Sequence, residues 1–400
     1  MNENISVMEA LGFILSHSKA TDDEIISYRK ALHRIVREDI KASSFNPPSD
    51  NSAMDGYGVK ASDCSNVPVE LHLLGTVLAG EQWRGSLPAG KAVRIMTGAS
   101  IPEGADAIKP FEEADEQGEN VMISKRVSAG THIRRKGEDY KAGDLLIESG
   151  KRISAADIAV LASTGTISLK VSKKPVVTIV STGNELVNPE EIPPEGSIRN
   201  SNCYGLEAQV ESCGAIAEVV GIVRDEKNTL KEYIMKAKNS DMLLITGGIS
   251  KGTTDYVKEV MKELGEQIIF FKVRQRPGYP FSFSFFEGTP VFLLPGNPVS
   301  SMICFELYIR PFVLKTMKAN KIYPLTVKAS IEENISVKKG RTDILRVVVR
   351  EENGKFAAFL TGAQGSGILT SMVKANGLLV IPEDVNEIKK GATWPIQILC

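Results

Sequence analysis

The sequence predicts a multidomain α/β plus β protein. Its parts are a three-layer α/β domain, an interrupted N-terminal helical element, an all-β insertion and a small barrel-like β domain at the C-terminal end. Three observations predict it. Between residues 175 and 318, nearly continuous apolar runs alternate with helical periodicity, as parallel strands buried on both faces require. Between residues 46 and 139, short β-type runs alternate with Gly- and Pro-bearing turns. From about residue 319 β pattern resumes.

The elements follow in order. Residues 6–18 read as an amphipathic helix opened by a Ser6/Glu9 capping box. A second helical pattern covers residues 28–36, and Asn46-Pro47-Pro48 breaks any helix. Residues 70–74, 92–96 and 120–123 read as strands of the insertion. Helical pattern returns over 154–164, with Ser154 and Asp157 in capping-box spacing and Gly165 as the stop. Residues 1–45 and 140–170 are therefore expected to form one domain, interrupted by the β insertion 46–139.

Residues 171–318 form the α/β domain. Its buried parallel strands are expected at 176–180, 242–245, 268–273 and 291–294, with helices over 204–212, 229–237, 255–264 and 298–317. Pro311 is expected to kink the last helix. In residues 319–400, runs at 345–349 and 356–360 flank the hairpin signal Asn353-Gly354.

Composition narrows the function. The 400 residues suffice for roughly two to four domains, and 42% hydrophobic with 24% charged content is ordinary for a globular chain. A net charge of −1 argues against nucleic acid or an anionic membrane as partner. The five cysteines and four histidines are scattered, without zinc-ligand spacing or a disulfide framework. A secretory signal and an apolar run long enough to span a membrane are both missing, so a cytoplasmic location is expected.

Four constellations carry candidate chemistry. Ser181-Thr182-Gly183-Asn184-Glu185 follows a strand, where Glu185 faces the crevice and suits a hydrated Mg²⁺; a capped turn is the plainer explanation. Thr246-Gly247-Gly248-Ile249-Ser250 precedes a helix opened by Asp255, and paired glycines let backbone approach an anion closely. Asp255 also suits the helix dipole, by about 0.3–1 kcal/mol. Lys272, Arg274 and Arg276 alternate, so one face of a strand end would hold three cations fit for an oxyanion. In Leu294-Pro295-Gly296-Asn297-Pro298-Val299-Ser300, Asn297 and Pro298 suit helix initiation, while Gly296 and Ser300 add ligand-facing capacity.

Together with Asp50-Asn51-Ser52-Ala53-Met54-Asp55-Gly56-Tyr57, Arg94-Ile95-Met96-Thr97-Gly98-Ala99 and Arg134-Arg135-Lys136-Gly137-Glu138-Asp139, these segments resemble the molybdopterin molybdenumtransferases of the MoeA family. That family is related to the gephyrin E domain. The resemblance covers essentially the whole chain. It implies a homodimer with its active site in a cleft between the α/β domain of one subunit and the N-terminal part of the other. It also implies Mg²⁺-dependent insertion of molybdenum from molybdate into adenylylated molybdopterin, with release of AMP, and contact with a molybdopterin adenylyltransferase.

By motif position, the resemblance implies that Asp55, Thr97 and Asp139 act across the cleft. Glu185, Asp225 and Asp255 are the implied acidic set for Mg²⁺ and the reacting groups. Thr246, Gly247, Gly248 and Ser250 form the implied phosphate loop. Lys272 and Arg276 would hold molybdate or phosphate, Pro295 and Pro298 would shape the pocket floor with Gly296, Asn297 and Ser300 as substrate-binding neighbours, and Arg346 and Ser366 match positions near the cleft. The plainer explanations are an Asp-Gly turn for Asp55, a strand position for Thr97, a helix cap for Asp225, a cross-strand charge for Arg346 and a turn for Ser366. The chain departs from the family at Arg276-Pro277-Gly278-Tyr279-Pro280, where lysines are usual: Arg276 changes a point cation into a planar fork, and Tyr279 removes a charge. Two other activities compatible with the resemblance are adenylyl transfer to molybdopterin and non-catalytic molybdopterin binding of the gephyrin E type.

Overall fold

A computed structural model describes residues 2–224, 227–236, 240–247, 260, 263 and 268–399. The chain divides into two compact units. One comprises Met1–Glu38, Ser149–Ile158 and Ser168–Cys400, the other Asp39–Glu148 and Ala159–Ile167.

The first unit is organised by a seven-stranded sheet. Its spatial order is Asn2–Ile5, Ile268–Val273, Ser282–Phe286, Thr289–Leu294, Met242–Gly247, Val176–Thr182 and Ile216–Val223. The last four run parallel, whereas Ser282–Phe286 is antiparallel to both its neighbours. The sheet is thus mixed, and Ile268–Val273 is not one of a purely parallel set. Three of its strands were not expected from the sequence: Asn2–Ile5, which is short and polar; Ser282–Phe286, a brief serine–phenylalanine alternation; and Ile216–Val223, a half-exposed strand at the sheet edge.

Side-chain alternation sorts this sheet into two cores. Val177, Ile179, Leu244, Phe292 and Leu294 pack on one face with helices Val7–Ser16, Asn202–Ser212 and Pro298–Cys304. Val180, Leu243, Ile245, Val291 and Leu293 pack on the other with Ile234 of helix Lys227–Lys236. A strand buried on both sides needs apolar residues at every position, which is why these runs read as continuous. The three-layer arrangement follows.

Helix Val7–Ser16 begins at the expected capping box: Glu9 N donates to Ser6 Oγ at 3.3 Å, and Ser6 N donates to Glu9 Oε2 at 2.8 Å. The second helical pattern is corrected. Residues Tyr28–Lys30 form a single 3₁₀ turn, His33 takes φ 64°, and Ile35 and Val36 make isolated β-bridges to Arg152 and Val171. Backbone pairing with residues over a hundred positions away, plus burial of Ile35 and Val36, outweighs local helix propensity there. Helix Ala155–Ser163 carries its box as expected, with Ser154 N donating to Asp157 Oδ2 at 2.8 Å and Gly165 following at φ 71°. In the last helical stretch a π-helical turn, Phe305–Ile309, separates Pro298–Cys304 from Arg310–Thr316. Pro311 offers no N–H to the preceding turn, and widening that turn accommodates its ring.

The C-terminal strands close on themselves. Thr342–Glu352, Lys355–Leu360, Thr326–Ile331, Thr393–Ile398 and Gly377–Ile381 form a five-strand ring, since the first also pairs with the last. Asn353 and Gly354, at φ 51° and 74°, make the hairpin turn that their sequence called for. Gln275–Arg276 leaves the α/β sheet region and pairs in parallel with Thr342 and Asp343 of the ring, so this basic segment belongs physically to the C-terminal barrel.

The second unit is built on a six-stranded sheet in the order Ala107–Pro110, Gly56–Val59, Lys91–Ile95, Val69–Val77, Asn120–Ile123 and Ala114–Gln117. Its apolar residues, among them Tyr57, Val59, Leu71, Val93 and Ile108, form two small cores.

Candidate functional site

Parallel strands end together, and their C-terminal ends expose backbone groups that the sheet no longer satisfies. In the first unit, Gly183 and Glu185, Gly247, and Pro295 with Gly296 lie at or just past the ends of three adjacent parallel strands and line one cavity of about 1060 Å³. An open α/β sheet binds ligands at this edge. The cavity's other walls are Gln275 to Pro280, the Lys338 to Arg341 turn and Gln364 to Ser366.

The two glycine loops touch. A Cβ on Gly296 would lie 3.5 Å from Gly247 Cα. At Gly247, with φ 94°, a Cβ would collide with the Thr182 carbonyl oxygen. Glycine is required at that position by both backbone conformation and space. Thr246 is buried and ties the loops together: its Oγ1 donates to Pro295 O at 3.1 Å and accepts from Asn202 Nδ2 at 2.8 Å. Thr246 is therefore a brace behind the cavity wall, while Gly247 is the wall. Near these loops, Thr182 Oγ1 and Asn202 Oδ1 are buried without a hydrogen-bond partner among the described residues.

Asn297 occupies the N-cap position and Pro298 is N1, as expected, but the Asn297 side chain makes no capping bond and lines the cavity with Ser300. Helix initiation therefore accounts for the backbone here and leaves the amide for a ligand. Pro298 faces a separate apolar pocket with Met302, Leu369 and Met372.

The expected one-face row of cations is corrected. Lys272 adopts φ 66°, which breaks strand alternation. Its Nζ sits 3.7 Å from Glu3 and 5.8 Å from the Tyr279 ring centroid, and Lys272 does not line the cavity. Arg274 lines it but is committed to Glu383 at 3.0 and 3.2 Å and to the Asn4 carbonyl oxygen at 2.5 Å. Arg276 also lines it and has no ion-pair partner among the described residues.

Arg346 lies within electrostatic reach of Arg276. It is 0% exposed, with Nε donating to Ser371 Oγ and Nη2 to Gly365 O, both at 3.1 Å, and Nη1 without a partner among the described residues. Burial, and after it the charge of Arg276, hold its pKa below the ordinary arginine value. Two guanidinium groups influence each other here, and no carboxylate pairs with Arg346 among the described residues. Such buried positive charge favours an anion in the adjoining cavity. Ser366 lines the cavity beside this pair.

Glu185 is the one described carboxylate in the lining, and its side-chain oxygens crowd Gly183, where a Cβ would meet them at 2.8 Å. Among the described residues, no cluster of three or more His, Cys, Asp or Glu is placed to hold a metal. A single carboxylate does fit Mg²⁺, which keeps most of its water and shares substrate phosphates. Asp225, Gly248, Ser250 and Asp255 lie outside the described residues.

In the second unit, Asp55 and Thr97 are brought together: Thr97 N and Oγ1 both donate to Asp55 Oδ1 at 2.7 Å, which lowers the Asp55 pKa from its usual value. Gly56 beside it lies against the Lys109 carbonyl oxygen, leaving no room for a side chain. Asp139 of the same unit accepts from Asn46 Nδ2 at 2.8 Å.

Sequence reasoning missed Gln275, Lys338, Lys339, Arg341 and Gln364. The run Lys338-Lys339-Gly340-Arg341 was a legible signal, since a glycine turn with three cations ahead of a strand mirrors the basic segment at 272–276. Gln275 and Gln364 had none, because an isolated glutamine carries no spacing information.

Comparisons with known proteins cover the whole chain. Residues 5–165 match the MoeA N-terminal region (domain I and II), 178–315 a probable molybdopterin binding domain, and 328–399 the MoeA C-terminal region (domain IV). The chain is 32% identical to a molybdopterin molybdenumtransferase of Bacillus subtilis over 404 residues, covering 99% of this chain and 94% of that protein. It is 32% identical to one of Staphylococcus epidermidis over 392 residues, covering 97% and 94%. The crystal structure of the molybdopterin biosynthesis MoeA protein from Pyrococcus horikoshii superposes with a TM-score of 0.86 at 30% identity, covering 99% of this chain and 100% of that one.

Proposed function

The chain belongs to the MoeA family, and we propose on that basis that it is a molybdenumtransferase of molybdenum cofactor biosynthesis, inserting molybdenum from molybdate into adenylylated molybdopterin with release of AMP. One observation carries the assignment: the cavity at the strand ends joins a glycine-lined wall to Arg276, whose charge is felt by the buried Arg346. The first part suits a phosphoanhydride, which needs close backbone approach, and the second suits a compact dianion such as molybdate.

Each described residue then has a task. Gly247 and Gly296 let the phosphoanhydride approach the backbone, with Asn297 and Ser300 as side-chain donors. Arg276 and Ser366 orient molybdate, and the buried Arg346 raises the local positive potential. Glu185 would hold Mg²⁺, together with Asp225 and Asp255, and the ion supplies neutralisation of phosphate charge. The protein acts as a cytoplasmic homodimer that receives its substrate from a molybdopterin adenylyltransferase. Asp55, Thr97 and Asp139 complete the site from the other subunit, and the exposed Asp55 carboxylate, already ordered by two Thr97 donors, is suited to that.

The test is reconstitution. The purified chain, given adenylylated molybdopterin, molybdate and Mg²⁺, should yield a product that activates a cofactor-free molybdenum enzyme. Failure to activate it, with the pterin still bound, contradicts the transferase assignment and favours a binding protein.

A further inference from the structure

We propose that the Lys338-Lys339 turn is a second anion subsite of the cavity, which grips the phosphate groups of the adenylylated pterin and leaves the oxyanion to Arg276. The inference rests on the transferase assignment above and adds two residues to it.

The described lining of the cavity carries five cations, Arg274, Arg276, Lys338, Lys339 and Arg341, against one acid, Glu185. Two of the five are already committed. Arg274 pairs with Glu383, and Arg341 pairs with the buried Asp343 at 3.2 Å. Lys338, Lys339 and Arg276 have no ion-pair partner among the described residues. Arg276 shares its surroundings with the buried Arg346, and the two lysines, both exposed, form a separate positive centre.

The turn that presents them is fixed at both ends. Val337 N donates to Asn386 O at 2.9 Å and Gly340 N to Glu383 O at 2.8 Å, while Ile335–Ser336 pairs with Glu387–Ile388. Glu383 thus anchors the turn through its backbone and Arg274 through its carboxylate. A fixed backbone with two free ammonium groups suits a diffuse, extended anion, because lysine acts as a point charge and not as a planar fork. A phosphoanhydride is such an anion. A compact oxyanion is better matched by the guanidinium of Arg276.

The experiment is a double dissociation. Lys338→Gln/Lys339→Gln should raise the KM for adenylylated molybdopterin about five- to tenfold at low salt and leave the KM for molybdate unchanged. Arg276→Gln should do the opposite. Raising salt from about 50 to 300 mM should weaken pterin binding by the wild-type chain more than by the double variant. Lys338→Arg/Lys339→Arg should keep near-normal affinity. Equilibrium binding of the adenylylated pterin without molybdate, with folding checked by circular dichroism, separates the two claims. Wild-type binding that the double variant loses, without turnover by either, leaves the subsite standing and removes the transferase assignment. A double variant that changes both KM values alike, changes neither, or binds the pterin as the wild type does overturns the subsite.

Discussion

The Tyr308 hydroxyl donates to Gln275 Oε1 in a fully buried network, and Gln275 Nε2 donates onward to the Pro277 carbonyl oxygen at 3.1 Å. Tyr308 sits in the π-helical turn and its ring stacks on Phe281 at 4.6 Å. The core helix therefore sets the position of the segment that carries Arg276. Tyr308→Phe keeps the stacked ring but strands a buried amide oxygen. It should cost about 1–3 kcal/mol in urea denaturation and raise the KM for molybdate more than that for the pterin.

Gly247 tolerates no side chain. Its φ of 94° and the adjacent Thr182 carbonyl oxygen both oppose a Cβ. Gly247→Ala should destabilise by about 1–3 kcal/mol and lower affinity for adenylylated molybdopterin at least tenfold, measured by equilibrium binding. Gly118→Ala, where φ is 63° but open space surrounds the Cβ, should leave that affinity unchanged and so separates site geometry from backbone strain.

Arg346 stabilises function at the expense of fold. Its guanidinium is buried with one nitrogen unpaired, so Arg346→Met should leave stability within about 1 kcal/mol of wild type or above it. Molybdate-dependent turnover should fall by at least tenfold in the same variant. A large loss of stability would assign Arg346 a purely structural role.

Glu116 governs acid sensitivity in the second unit. It accepts from Arg94 at 2.6 and 2.7 Å and from Tyr57 at 2.8 Å, and the Arg94 bonds, followed by that of Tyr57, pull its pKa down from 4.5 to about 2. A depressed folded-state pKa adds stability above the unfolded value and loses it as pH falls through the folded one. The stability difference between wild type and Glu116→Gln should thus be about 1 kcal/mol near neutral pH, since the pair is partly exposed, and should vanish between pH 4.5 and 2.

Much of this was legible in the sequence. The three parallel strands at the cavity edge, Val176–Thr182, Met242–Gly247 and Thr289–Leu294, announce themselves because burial on both faces demands unbroken apolar runs, and the capping boxes at Ser6 and Ser154 because they are local. Gly247 and Gly296 stood out for the same local reason. What stayed hidden depends on distant partners. Ile35 and Val36 look helical until Arg152 and Val171 pair with them. Lys272 reads as sharing a face with Arg276 until its backbone turns left-handed. Arg346 reads as an ordinary strand charge, and only the closed barrel shows that it is buried within electrostatic reach of a second arginine.

The proposed homodimer, with its site shared between subunits, makes a separate prediction. Asp55→Asn and Glu185→Gln should each be inactive alone, and dissociated subunits mixed and reassembled should regain about a quarter of wild-type activity, as one site in two of each heterodimer is intact. Activity that stays absent after mixing, with subunit exchange demonstrated, would place both carboxylates in one subunit's site.

The most direct measurement is AMP release from adenylylated molybdopterin in the presence of Mg²⁺, with and without molybdate. The transferase assignment predicts AMP formation that depends on molybdate and matches the molybdenum-loaded cofactor one for one. AMP release at the same rate without molybdate, or none at all while the pterin remains bound, would contradict it.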